Sequence, residues 1–178
     1  MAIWTLTVRS TYLATQEEVW LQKTDPQALL DEFAPYLRLT IPDPQALMAA
    51  LRGAAPASFH AKVTGPLGLI GMPWPMRIEE SVAPRLYRDT SVNALYKHFQ
   101  HTHRVLPSGP GRVKYIDEVV FEPRFRPSRL SARITRALFL HRHARAARHL
   151  MLDQVDGTRS WLATEGPFAR PLRHATAG

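Results

Sequence analysis

Polar and apolar residues alternate over the first dozen positions, with Trp4, Leu6 and Val8 on one side and Ile3, Thr5, Thr7 and Arg9 on the other. A period of two predicts a β-strand over 3–12 that turns the Trp4 set toward a core. Thr15 followed by Glu18 marks a helix start, because the hydroxyl takes an orphan N–H while the carboxylate reaches back. That helix, 16–23, stops near Asp25-Pro26, and Pro26 suits the first turn of a second short helix carrying Leu29, Leu30 and Phe33. Residues 36–41 allow a strand, and 44–51 reads as a short helix with Leu47, Met48 and Leu51 on one side. Strands follow over 58–64, 75–83, 85–94, 95–106 and 112–122. Turn signals separate them at Gly65-Pro66, Ala83-Pro84 and Ser108-Gly109-Pro110-Gly111. Pro73-Trp74-Pro75 reads as a stiff, exposed approach to its strand.

From Pro127-Ser128 the period changes. Ser128 is the expected N-cap of one long helix. Leu130, Ile134, Ala137, Leu138, His141, Ala144, Ala147 and Met151 recur at spacings of three and four, an apolar stripe that leaves the arginines off it. On that stripe His141 reaches inward and His143 faces water. A helix this long spans roughly 35 Å, enough to cross a sheet. Strand, two short helices, a run of strands and a long helix is an α+β order, not an alternating one. The reading gives one domain over 1–152 and a tail over 153–178, docked by Trp161-Leu162 and loose over its last dozen residues.

Composition narrows the possibilities. Hydrophobic residues make up 45% of 178, enough for a packed core. Cysteine is absent, which excludes disulfides, cysteine-zinc sites and thiol catalysis. The alternating start does not read as a secretory signal, and no apolar run approaches the roughly 20 residues needed to span a bilayer. The expected location is the cytoplasm. The net charge of +8 is uneven: residues 124–149 hold eight arginines, three histidines and no acid. Such a block suits nucleic acid or an anionic membrane surface, or forms the solvated face of a helix, which is the reading preferred here.

The strands flanking Ser108–Gly111 carry the candidate chemistry. Lys114, Glu118 and Glu122 share one face, so Val113, Tyr115, Asp117, Val119 and Phe121 share the other. Asp117 thus falls among apolar neighbours. On the preceding strand Phe99, His101, His103 and Val105 share a face. A turn centred on Gly109 sets His101 opposite Asp117 and His103 opposite Tyr115, about 5 Å apart at Cβ. A buried carboxylate is costly unless paired, and an imidazole is a natural partner. The pair either anchors a ligand and moves a proton, or merely satisfies itself. His101, His103 and Asp117 would also be a minimal metal set, but no softer ligand is available; neither metal nor cofactor is assigned. No Gly-x-Ser-x-Gly nucleophile motif and no glycine-rich nucleotide loop occurs.

Pro84-Arg-Leu-Tyr-Arg-Asp89, Tyr96-Lys-His-Phe-Gln-His-Thr-His103, Val113 to Pro123 and Phe139-Leu-His-Arg-His143 together resemble a known superfamily. They look like the SRPBCC superfamily (START/Bet v1-like, polyketide cyclase and coenzyme-Q-binding relatives), in particular its bacterial ligand-binding domains. Ala14 to Trp20 with Asp25-Pro26 suits that superfamily's opening helix pair. The resemblance implies a helix-grip fold: a curved antiparallel sheet of about six or seven strands, two short helices and one long C-terminal helix over an apolar cavity. Phe99, His101, His103, Tyr115, Asp117, Val119, Ile134, Leu138 and His141 are then the expected ligand-binding residues. The leading expectation is non-enzymatic binding of a small apolar molecule such as a lipid, isoprenoid or polyketide-like compound. The alternatives are a cyclase or dehydratase with a cavity histidine as general acid/base, and a basic module for nucleic acid or membrane surfaces. Nucleic acid is disfavoured, because Phe139 is the one aromatic on the arginine-rich helix.

Overall fold

The computed structural model describes residues 2–54, 56–65, 71–146, 150–156, 162–165 and 170–171. The chain runs β1 (Ala2–Leu13), α1 (Gln16–Thr24), α2 (Pro26–Phe33), β2 (Arg38–Thr40) and α3 (Pro44–Ala49), which continues into a wider helical turn over Ala50–Ala54. Then come β3 (Ala57–Thr64), β4 (Gly71–Val82), β5 (Leu86–Ser91), β6 (Tyr96–Pro107), β7 (Val113–Pro123) and α4 (Ser128–Ala146). Short strands β8 (Met151–Asp156), β9 (Leu162–Glu165) and β10 (Arg170–Pro171) follow.

Seven strands in the order β1-β7-β6-β5-β4-β3-β2 make one curled antiparallel sheet. α4 packs against β1, β7 and α2. This is the expected helix-grip α+β arrangement. Beyond it, β8 and β9 pair with β1, and β10 pairs with β9. Trp161, Ala147, Pro66 and the last dozen residues lie wholly or largely outside the described residues.

Local chemistry explains the early elements. Thr15 Oγ1 accepts from the Glu18 backbone N–H at 3.2 Å while Glu18 Oε2 accepts from the Thr15 N–H at 2.7 Å. Asp25 Oδ1 accepts from the Gln27 N–H at 2.9 Å, with Pro26 in the first turn of α2. Among the described residues no helix is long and apolar enough to cross a membrane.

Three expectations need correction. The β6–β7 loop is wider than a turn centred on Gly109: Ser108 and Arg112 close it, with positive φ at Gly109 (110°) and Gly111 (62°). The register therefore slips by two, placing His103 opposite Asp117 and His101 opposite Val119. A two-residue slip keeps every side chain on its face. Pro73-Trp74-Pro75 lies within β4, and Trp74 packs edge-on against Tyr96 (5.9 Å) and Phe99 (5.4 Å).

The third correction concerns α4. It has 19 residues, about 28 Å, and its first helical residue is Ser128. Its buried face is Ala132, Thr135, Phe139, Arg142, His143 and Ala146. Leu130 and Ile134, expected inside, are 53% and 52% exposed. The helix is turned so that an arginine and a histidine, not the leucine–isoleucine stripe, meet the sheet. Apolar counting misses this because charge pairing decides it.

Candidate functional site

Four neighbouring strands of the sheet, β1, β7, β6 and β5, each carry a buried polar residue on the inner face. On β1 Ser10 lies between Val8 and Tyr12, and on β7 Asp117 lies between Tyr115 and Val119. On β6 His101 and His103 lie between Phe99 and Val105; on β5 Asp89 follows Tyr87. The register aligns these positions, since Asp89 pairs with His101, His103 with Asp117, and Asp117 with Val8. A polar belt therefore crosses the sheet between two apolar clusters, one around Tyr12, Tyr87 and Tyr115, the other around Trp4, Phe99 and Phe121.

Helices complete the belt from above. α4 delivers Arg142 and His143, α2 delivers Glu32, and α1 delivers Lys23, all of them buried. Lys23 Nζ donates to Glu32 Oε1 at 2.7 Å, and Arg142 Nε donates to Glu32 Oε2 at 2.6 Å. Arg142 Nη1 lies 3.3 Å from Asp117 Oδ2. The same oxygen accepts from His143 Nε2 at 3.0 Å, leaving His143 Nδ1 to accept from the Ser10 hydroxyl at 2.7 Å. His101 Nε2 and His103 Nδ1 approach Asp117 Oδ1 at 3.0 and 3.2 Å, neither with the alignment of a hydrogen bond. On the other side, His101 Nδ1 and His103 Nε2 lie 3.7 and 3.4 Å from Asp89 Oδ2.

These contacts shift protonation. Burial alone would raise the Asp117 carboxyl, but Arg142 and the two imidazoles outweigh it and hold the group well below the usual range. Burial likewise pushes Glu32 up, and the cations Lys23 and Arg142 bring it below its ordinary value. Burial, reinforced by His101, takes His103 down to about 4, so it is neutral near pH 7. Burial also lowers His143, against the pull of Asp117.

One side of the belt opens into a cavity of about 140 Å³ between sheet and helices. Its polar wall includes Lys23, Asp89, His101, His103 and Arg142; its apolar walls include Phe33, Leu47, Trp74, Met76 and Phe139. Tyr87 stacks on His103 with ring centroids 3.6 Å apart, and Phe139 meets His101 edge-on at 4.9 Å. Of the residues expected from sequence, Phe99, His101, His103 and Leu138 line the cavity. Tyr115, Asp117 and Val119 are fully buried beneath it and do not reach its wall. Ile134 is at the surface, and His141 is half-buried against the Ala34 carbonyl at 2.7 Å. His143, expected in water, is fully buried.

Ser10, His143 and Asp117 form a serine–histidine–carboxylate line. Ser10 is 1% exposed and off the cavity wall, so no substrate reaches it as a nucleophile. The line is structural. Asp89 was legible in principle, because alternation puts it on the face of Tyr87 and Ser91. Lys23, Glu32 and Arg142 had no local signal, as their partners come from other elements.

Residues 10–150 match the family described as "Domain of unknown function (DUF8410)". The chain belongs to this family. No curated protein matches the sequence of this DUF8410 member. Its fold is similar to a START superfamily protein from Mycobacterium smegmatis, with TM-score 0.63 and 9% identity over 83% of this chain and 97% of that one. It is also similar to protein CV1439 from Chromobacterium violaceum, with TM-score 0.62 and 14% identity over 82% and 96% of the two chains. The Zhui aromatase/cyclase from Streptomyces sp. R1128 superposes with TM-score 0.56 and 14% identity over 82% and 95%. The DUF8410 chain thus has the START-like helix-grip fold.

Proposed function

We propose that this protein binds a small apolar molecule, a lipid, isoprenoid or polyketide-like compound, in the cavity between sheet and α4. The observation that carries the reading is the cavity itself, about 140 Å³ in volume and walled mainly by apolar side chains. An apolar space of about 150 Å³ stays dry and accepts a benzene-sized molecule, so one ring or a short branched chain fits without rearrangement. Affinity would come from apolar burial at about 25 cal/mol per Å². Orientation would come from the polar wall, where Arg142 Nη2 has no hydrogen-bond partner among the described residues. A ligand with one acceptor oxygen would satisfy that donor.

The test is a titration with an environment-sensitive apolar fluorophore, followed by competition with a fatty acid, an isoprenoid alcohol and an aromatic polyketide. Saturable, competable binding at one site supports the reading. A dye that finds no site, or that no competitor displaces, defeats it.

His101, on the cavity wall between two carboxylates, favours a second reading as a cyclase-type general acid/base. His101→Phe separates the two, since a binder keeps much of its ligand affinity, while an enzyme also loses all turnover.

Membrane contact is a further part of the proposal. Exposed Phe125, Leu130 and Ile134 adjoin exposed Arg126, Arg129 and Arg133, a mixture suited to an anionic bilayer. Co-sedimentation with phosphatidylserine vesicles should fall when Arg129 and Arg133 become glutamate; unchanged sedimentation would remove this part.

A further inference from the structure

The cavity wall contains a triangle of ligand atoms of a different kind. Asp89, His101 and His103 are each buried, and one ligand atom from each lies within 4.8 Å of the others. The edges from Asp89 Oδ2 are 3.7 Å to His101 Nδ1 and 3.4 Å to His103 Nε2. Ligands held about 2.1 Å from a tetrahedral ion lie about 3.4 Å apart, close to the two edges that meet at Asp89 Oδ2.

The surroundings support the same assignment. Each imidazole turns its other nitrogen toward one carboxylate oxygen, Asp117 Oδ1, at 3.0 Å for His101 and 3.2 Å for His103. Tyr115 Oη adds a contact to His103 Nδ1 at 2.7 Å. A carboxylate behind a ligating histidine fixes the tautomer and ring plane and strengthens the ligand. His101 Nε2 and Asp117 Oδ1 are buried without an aligned hydrogen-bond partner among the described residues, and a small ring rotation onto an ion would align them. Charge points the same way. The buried belt has carboxyls at Glu32, Asp89 and Asp117 against cations at Lys23 and Arg142, so a bound cation would offset the excess.

We propose that Asp89 Oδ2, His101 Nδ1 and His103 Nε2 form a three-ligand site for a divalent first-row transition metal, zinc foremost, open toward the cavity. Two imidazoles and a carboxylate are the donor set that such ions take when one coordination position remains free. The free position would meet whatever occupies the cavity. The site stands whether or not an apolar molecule binds there, because its ligands come from the wall alone.

The experiment is calorimetric titration of chelator-treated, full-length protein with zinc, repeated with cobalt(II) for its visible spectrum. One equivalent should bind, and cobalt should show the intense bands of a four- or five-coordinate ion. Asp89→Asn, which removes a ligand, should weaken zinc by more than the roughly tenfold to hundredfold lost when an outer partner is removed. The exposed His60 and His98 are controls, and changing both to glutamine should leave binding unchanged. Absence of binding to the wild-type protein overturns the proposal. Binding that survives Asp89→Asn but disappears with His60 and His98 overturns it too, as surface capture. If Asp89→Asn does not fold, X-ray absorption of the zinc-loaded wild-type protein decides. Two imidazoles and a carboxylate support the site, and any other ligand set refutes it.

Discussion

Arg142 Nε donates to Glu32 Oε2 at 2.6 Å, joining α4 to α2 through two side chains each 1% exposed. Glu32 also takes Lys23, so one carboxylate compensates two buried cations. Removing a single partner from such a group leaves charge stranded in the interior, typically at a cost of about 3–5 kcal/mol. Glu32→Gln should therefore lower the free energy of urea unfolding by about that much. A loss below about 1 kcal/mol would mean that the pairing contributes little.

The apolar–polar alternation of β7 is fully legible in the sequence and places Asp117 inside. The capping box at Thr15 and the proline start of α2 were legible for the same reason: each signal lies within four residues of what it controls. The face of α4 was not. Arg142 is inward because Glu32 and Asp117, 110 and 25 residues away, neutralise it. Nothing near Arg142 in the chain announces either partner. The β6–β7 register differs by two from the sequence expectation because four consecutive turn-forming residues hide the centre of the loop. The error was harmless to face assignment, and His101 still reaches Asp117, now diagonally.

The face of α4 can be tested by filling it. Leu138 lines the cavity, whereas Ile134, one turn earlier, is exposed. Leu138→Trp should abolish binding of the apolar fluorophore and cost about 1–3 kcal/mol through overpacking. Ile134→Trp should leave dye affinity unchanged. Equal loss of dye affinity in both variants would return the helix to the orientation expected from its apolar stripe.

His143 gives stability a pH dependence. Burial holds its folded pKa below the ordinary 6.5, so the unfolded chain binds the proton more readily. Its contribution is complete above 6.5 and is lost as pH falls toward the folded value. The urea midpoint should decline from roughly pH 7 to pH 5, and His143→Gln should decline less over that interval. Parallel curves for the two proteins would show that His143 does not titrate with folding.

Phe121 is fully buried on β7, in the apolar cluster across the polar belt from Tyr115, and is absent from the cavity wall. Phe121→Ala should cost about 3–5 kcal/mol in urea unfolding. Ligand affinity, measured by dye titration in the folded protein, should change far less than stability. A larger loss of affinity than of stability would place Phe121 at the ligand.

A ligand held by apolar burial under α4 should survive purification. Native mass spectrometry of the protein isolated from its own host, sprayed from moderate and from high ammonium acetate, reads this directly. The account predicts one discrete small-molecule adduct, equally occupied at both salt concentrations, released on unfolding and partitioning into organic solvent. A bare protein mass that stays bare after incubation with lipid, isoprenoid and polyketide extracts would contradict it.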